Sequence, residues 1–368
     1  MSEGRRDLRV AVLGVGMMGA FHADALATRI KGATVSVIND FAADKAAEVA
    51  ARVGARVVAD PFDAIADPEV DAVLVATPGA AHAGQVQACL DAGKPVLCEK
   101  PLTTDEASSY ALVEAEAKLD RPLVQLGFMR RFDAEYVALH DLITSGGLGN
   151  PLLVHCAHRN PTVPAFFNSE FMIRDSVVHE VDVARFLLDE EIVSVQVLRG
   201  VATSAAPQGT SDPMVVVFET ESGRLVTDEI SVRTGVAYEV RTEVVGETGS
   251  AMIGLDTHLV RTTTDGRRGG AITPGFVERF GQAYDTELQR WVAAAARGTI
   301  DGPGVWDGYA AVAVCEAGVQ AVRTGEKVPV VLKDRPVAGG TGGGVARSGG
   351  LGEPQAGITA PDLIGDER

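Results

Sequence analysis

"LRVAVLGVGMMG", residues 8–19, decides how the first half of this chain folds. Leu8–Leu13 is a nearly continuous apolar run rich in valine, the pattern of a strand buried on both faces. "GVGMMG" (14–19) follows at once, and the segment from Met17 to about Thr28 reads as a helix. A GxGxxG by itself fits a glycine-rich structural turn as well as a ligand site. Between a strand and a helix, each position acquires a use. Gly14 permits the tight turn, Gly16 lets backbone approach a pyrophosphate, and Gly19 lets helix pack on strand. Met17 and Met18 open the helix, whose unpaired N–H groups and positive dipole end favour an anion. The next apolar run, "TVSVIND" (34–40), ends in Asp40, placed to hydrogen-bond adenosine ribose hydroxyls. A 2′-phosphate would meet that carboxylate as a like charge, so NAD is expected over NADP.

The alternation continues outward. "ARVV" (55–58), "DAVLVAT" (71–77), "PVLCEK" (95–100) and "PLVQLG" (122–127) read as strands. "ADKAAEVAARVG" (43–54), "AHAGQVQACLDAG" (81–93) and "DEASSYALVEAEAKL" (105–119) read as helices, with Gly54 a C-terminal cap. This predicts an α/β fold over residues 1–126, a Rossmann doubly wound parallel sheet. After about residue 150 the rhythm changes. "PLLVHCAHR" (151–159), "IVSVQVLRG" (192–200), "PMVVVFET" (213–220), "RLVTDEISVR" (224–233) and "AYEVRTEVVG" (237–246) read as strands, several alternating apolar and polar residues. Two helices follow, at 277–298 and 306–325. Residues 127–336 are therefore expected to form an α+β domain with a large open, mostly antiparallel sheet. The Gly- and Pro-rich stretch 337–368 is expected to be a disordered tail.

Charge narrows the partners. Fifty Asp and Glu against 33 Lys and Arg leave −17, which repels phosphate backbones and anionic lipid, so neither nucleic acid nor membrane is expected. Cys89, Cys98, Cys156 and Cys315 include no CxxC pair, which argues against a disulfide framework and for a reducing, cytoplasmic compartment. No apolar run approaches the ~18 residues of a membrane-spanning helix, and the N-terminal segment lacks a signal-peptide pattern.

"ATPGAAH" (76–82) and "CEKPL" (98–102) both end predicted strands, at the rim where open α/β sheets bind ligands. Thr77 and Pro78 are expected to line the dinucleotide. His82 either reaches it or stands exposed at a helix start. Glu99 and Lys100 point toward the crevice, with Lys100 restrained by Pro101; alone, Lys100 would read as a surface-loop lysine. In "DSVVHEVDVARFLL" (175–188), Val177, Val178, Val181, Ala184, Leu187 and Leu188 mark a buried helix face. Asp175 and His179, four apart, share one side with Cβ atoms about 5–6 Å apart. They are either a helix-start acid with an incidental neighbour or half of an active site. Glu180, Asp182 and Arg185 read as solvent or salt-bridge residues.

In order and spacing, the GxGxxG, ATP…H, EKP and D-x-x-x-H segments resemble the Gfo/Idh/MocA oxidoreductases. "FMRRFD" (128–133), "HCAHRNPT" (155–162), "EVVGETG" (243–249) and "WDGYAA" (306–311) resemble its inositol 2-dehydrogenase branch, and the likeness runs from about residue 8 to 335. The resemblance implies NAD-dependent oxidation of a cyclic polyol, myo-inositol to its 2-keto form (scyllo-inosose). It implies Lys100, Asp175 and His179 as the catalytic set, and Arg130, His158, Asn160, Tyr238 and Tyr284 as polyol-pocket residues. Phe276 stands where some members carry tryptophan, which leaves scyllo-inositol, an amino-inositol or a pyranose as alternative substrates. It also implies a homo-oligomer, tetramer favoured, with the open sheet as interface.

The chemistry supports these roles on its own terms. Oxidising a secondary alcohol sends a hydride to the nicotinamide and a proton to a base, and histidine titrates near neutrality. Asp175 is expected to orient His179 and raise its pKa, and Lys100 to stabilise the developing alkoxide. "HCAH" (155–158) invites a metal reading, but on a strand His155 faces away from Cys156 and His158, so no metal is expected. The alternatives from other classes are a non-catalytic dinucleotide-binding regulator, which intact Lys100, Asp175 and His179 disfavour, and a structural interaction module.

Overall fold

The computed structural model describes residues 6–254, 262–264, 267–269 and 272–336. The tail expected at 337–368 lies outside the described residues. Strands β1 (Leu8–Leu13), β2 (Ala33–Asn39), β3 (Arg56–Val57), β4 (Ala72–Val75), β5 (Val96–Cys98) and β6 (Val124–Leu126) form one sheet in the order β3-β2-β1-β4-β5-β6. Every pairing in it is parallel. Helices α1 (Met17–Thr28), α2 (Ala43–Val53), α3 (Pro61–Ala66), α4 (Gly79–Asp91) and α5 (Glu106–Glu116) make the crossovers. Both faces of the central strands are buried, which is why they read as unbroken apolar runs: Val10, Val12, Leu13 and all of β4 have no exposed surface. Gly54 ends α2 with φ +74, as the sequence suggests. Chain order reverses between β1 and β4, so a crevice opens beyond their C-terminal ends. The six-residue α3 is too short for its periodicity to show; Asp60 caps it, its side chain accepting from Phe62 N.

The second region begins with a 3₁₀ turn (Met129–Phe132) and α6 (Ala134–Thr144), capped by Asp133. β7 (Pro151–Arg159), the short α7 (Ser169–Phe171), a π-helical turn (Met172–Val177) and α8 (Val178–Leu188) follow. Next come β8 (Ile192–Arg199), β9 (Met214–Thr220), β10 (Leu225–Ser231), β11 (Glu239–Gly246) and β12 (Ser250–Ile253), a small β13–β14 ribbon (Thr262–Thr264, Arg267–Gly269), α9 (Phe276–Ala295), α10 (Val305–Thr324) and β15 (Val328–Pro329). Among the described residues the larger sheet has the order β12-β11-β7-β10-β9-β8-β15; only β10 with β7 is parallel. Its inner face, including Val154, Val216, Phe218, Val226 and Val244, is buried. Its outer face exposes Leu198, Val215, Leu225 and Met252.

One expectation needs correction. The segment 175–188 is not one α-helix: the chain winds as a π-turn through Val177 before α8 begins. For Glu180, Asp182 and Arg185, left open between solvent and salt bridges, the structure takes the salt-bridge reading. All three are buried in ion pairs, Asp182 with Arg131, and Arg185 with Glu191 and Asp307. The sequence also places α9 in the second region, yet one of its faces closes on the first sheet. Leu288, Trp291, Val292 and Ala295 share a core with Val10, Val12 and Leu26, while Phe280, Ala283 and Tyr284 join the other core. Arg29 and Asp285 (2.8 and 2.9 Å) and Lys31 N with Gln289 Oε1 (2.9 Å) bind the joint.

Candidate functional site

A cleft of about 820 Å³ runs along the C-terminal rim of the parallel sheet and onto the inner face of the second sheet. Gly14, Gly16, Met17, Met18, Asp40, Thr77 and Pro78 line it, as do Glu99, Lys100, His158, Asn160, Asp175, His179, Tyr238 and Tyr284.

At the rim of β1 the fit to a dinucleotide can be tested atom by atom. Gly14 has φ +79, and a Cβ there would stand 2.7 Å from Ala76 O and Thr77 N, so the β1 turn lies directly against the β4 turn. At Gly19 a Cβ would fall 1.9 Å from Gly14 O; it is the helix-packing glycine and does not line the cleft. At Gly16 a Cβ would meet nothing within 4 Å, so its backbone borders open space at the start of α1. Asp40 follows β2 with both oxygens anchored, accepting from Val15 N (2.7 Å) and Ala42 N (2.8 Å). Each carboxylate oxygen keeps a further acceptor site for ribose hydroxyls. These features fit NAD. Lys45, Asn39 and Gln85 also line this end, and sequence reasoning missed them. Gln85, two turns into α4, accepts from the Thr77 hydroxyl at 2.7 Å. The one available signal was its position on the helix that follows "ATP".

His82 is a correction. It is 1% exposed and does not line the cleft. Its ring nitrogens face Thr77 O (2.7 Å) and Pro101 O (2.8 Å), so it ties the β4 and β5 rim turns together from behind.

Glu99 and Lys100 leave β5 in different directions. Glu99 accepts at Oε1 from His22 Nε2 of α1, 2.6 Å away. Burial works to raise the Glu99 pKa, but that bond and the nearby His22 and Lys100 charges outweigh it and hold the carboxyl below its usual range. His22 itself, three residues past Gly19, was missed. Lys100 Nζ donates to Asp175 Oδ1 (2.8 Å) and to Asp175 O (2.9 Å). The Lys100–Pro101 peptide is cis.

This placement corrects the expected Asp175–His179 partnership. The π-turn at Asp175 departs from the α-helical geometry that would align residues four apart, and the carboxylate goes to Lys100. The pKa of His179 is not raised but lowered well below 6.5, first by burial and then by the positive charges of Arg130 and Lys100. A neutral imidazole in the cleft is a proton acceptor.

Beneath the cleft lies a second charged set. Arg130, expected to line the pocket, does not; it is 1% exposed and pairs with the equally buried Glu180. His158 does line the cleft, with Nδ1 3.2 Å from Glu180 Oε2. Burial opposes the Glu180 charge, but the Arg130 guanidinium and then the hydrogen-bonding contact with His158 overcome it and hold the carboxyl well below its usual range. Tyr238 meets His158 edge-on at 5.7 Å, and Tyr284 meets His22 at 5.8 Å. Phe276 closes the same end. Cys156 sits on the His158 face of β7, buried, while His155 points outward. Among the described residues no group of three or more His, Cys, Asp or Glu side chains could hold a metal ion, and no helix is long and apolar enough to cross a membrane.

The family models for Gfo/Idh/MocA proteins match this chain twice. "Oxidoreductase family, NAD-binding Rossmann fold" covers residues 8–128, and "Oxidoreductase family, C-terminal alpha/beta domain" covers 140–330. An inositol 2-dehydrogenase of Rhodococcus erythropolis is 62% identical over 341 residues, 91% of this chain and 99% of that protein. One from Rhodococcus jostii is 58% identical, across 90% of this chain and 95% of its own. Among solved structures, the myo-inositol dehydrogenase of Lactobacillus casei in complex with NAD(H) and myo-inositol superposes with a TM-score of 0.86 at 31% identity. It covers 89% of this chain and 98% of that one.

Proposed function

This chain belongs to the Gfo/Idh/MocA oxidoreductase family, and we propose that it oxidises a cyclic polyol, myo-inositol to 2-keto-myo-inositol, with NAD as hydride acceptor. The observation that carries the reading is a buried histidine, held neutral, in one cleft with a dinucleotide cradle and a lysine–aspartate pair. The 62% identity to an inositol 2-dehydrogenase supports the choice of polyol.

When bound, NAD supplies the nicotinamide carbon that accepts hydride. Gly14, Gly16 and the start of α1 would hold its pyrophosphate, Asp40 its adenosine ribose, and Thr77 and Pro78 would flank it. His179 Nε2 or Nδ1 takes the hydroxyl proton; a positioned base of this kind is worth roughly 10²–10⁴-fold. Lys100 sets a positive charge beside the developing alkoxide, and Asp175 fixes where that ammonium points. His158, Asn160, Tyr238 and Tyr284 offer hydrogen-bonding groups to the remaining hydroxyls.

The uncovered outer face of the second sheet, with Leu198, Val215, Leu225 and Met252 exposed, supports a homo-oligomer, a tetramer in our reading. Four free, buried cysteines suit a cytoplasmic setting.

The test is a substrate panel of myo-inositol, scyllo-inositol, an amino-inositol and a pyranose, each with NAD and NADP, followed by NAD(P)H absorbance. The highest kcat/KM is expected for myo-inositol with NAD. A pyranose preferred over every inositol would overturn the substrate assignment.

A further inference from the structure

Glu180 has no place in the proton-transfer set, yet it is an almost fully buried carboxylate directly behind His158, which lines the cleft. It lies one residue after His179 on α8 and accepts from the Arg130 guanidinium at Oε1. Its Oε2 stands 3.2 Å from His158 Nδ1. Arg130 Nη2 is also near that nitrogen, at 3.4 Å. The two neighbours demand opposite protonation of Nδ1, because a carboxylate only accepts and a guanidinium only donates. Glu180 is the nearer, it is anionic, and a bare Nδ1 lone pair facing it would be repelled. Nδ1 therefore carries the hydrogen, and in a neutral ring Nε2 is left as an acceptor. Asp228 of β10, in register with Cys156 of β7, is buried as well, and its surroundings favour its neutral form. Burial and then the Glu180 charge raise its pKa well above the carboxylate range.

We propose that Glu180 is a positioning residue: it fixes His158 in the Nδ1–H tautomer so that Nε2 accepts a hydrogen bond from a hydroxyl of the bound polyol. This rests on the polyol reading above. Arg130 acts one step further back, orienting Glu180 from below the cleft rather than touching substrate.

The variant that separates orientation from mere packing is Glu180→Gln, which keeps shape and removes charge. Arg130, a donor only, would take the amide oxygen of Gln and turn its NH₂ toward His158 Nδ1. The ring must then switch to Nε2–H and offer a donor where the polyol needs an acceptor. Long-range ¹H–¹⁵N spectra of histidine-labelled, NAD-bound enzyme report the tautomer of each of the seven histidines, and His158→Gln identifies the relevant signal. The expected result is Nδ1–H in the wild type and Nε2–H in Glu180→Gln. Polyol KM should rise about tenfold or more, with the KM for NAD unchanged. Three results would overturn the proposal: Nε2–H in the wild type, no switch in the variant, or a switch without any change in polyol KM. If Glu180→Gln does not fold, the wild-type spectrum alone decides. The tautomer needs no substrate to be read, so it fails separately from the polyol assignment.

Discussion

At the dinucleotide end of the cleft, the parts that would meet a ligand are largely backbone, supplied by short sequence runs: Gly14 to Met18, then Asp40, then Thr77 and Pro78. At the polyol end they are side chains, brought from β5, β7, the π-turn, α8, β11's entry and α9. The first end works by leaving room, since a Cβ at Gly14 or Gly19 would strike backbone at 2.7 or 1.9 Å. The second works by charge, packing Arg130, Glu180, His158, His179, Lys100 and Asp175 into partial or full burial. A cradle made by omission tolerates almost no added atom, whereas a charged nest depends on who pairs with whom.

The comparison breaks most visibly at His179. His179→Ala should lower kcat by roughly 10²–10⁴ while leaving NAD affinity, read by fluorescence titration, unchanged. Near-wild-type turnover would mean that the base lies elsewhere. Asp40→Ser tests the other end alone. Removing the carboxylate should shift the NAD/NADP ratio of kcat/KM toward NADP by roughly tenfold to a hundredfold. An unchanged ratio would remove Asp40 from cofactor choice.

The glycines sharpen the contrast between space for the ligand and space for the protein. Gly16→Ala adds a methyl to open space, so the melting temperature of the free protein should stay put while NAD affinity falls. Gly19→Ala drives a methyl into Gly14 O and must move backbone, at a cost of about 1–3 kcal/mol. There the free protein itself should melt several degrees lower. If both variants behaved alike, the division of labour between the two glycines would be wrong.

The same contrast governs what could be read from sequence. Strand, GxGxxG and helix are adjacent in the chain, so the parallel sheet, its crevice and the placement of Gly14, Gly16, Gly19 and Asp40 were legible from local pattern. The alternation of β7, with His158 inward and His155 outward, was legible for the same reason. Pairings across the fold were not. Asp175 and His179 suggest each other only if the helix is regular. A π-turn sends Asp175 to a lysine 75 residues away, and no periodicity announces it. Arg130 could be recognised as important from "FMRRFD", but not as sitting behind His158. Glu180 and Asp182, ordinary acids on a helix, acquire meaning only once the second sheet, the Met129–Phe132 turn and α10 have closed around them. His82 fell between the two, motif-placed yet turned inward between two carbonyl oxygens.

The smallest expected effect tests the charge half of the comparison directly. His179 must be neutral to accept a proton, so kcat/KM should fall as pH drops through its pKa in the free enzyme. That pKa lies well below 6.5, so the rate should remain on its plateau through neutral pH and decline only in more acidic solution. Burial is the largest cause and survives any surface change. Lys100 is a lesser one, acting through its positive charge. Lys100→Met removes that charge and leaves the burial, so the acid limb should move toward higher pH yet stay below the ordinary histidine range of about 6.5. The variant will also be slower, which does not affect the position of the limb. A limb that stays fixed would mean that Lys100 and His179 do not share a field. One that moves to lower pH would reverse the sign on which the neutral-base reading depends.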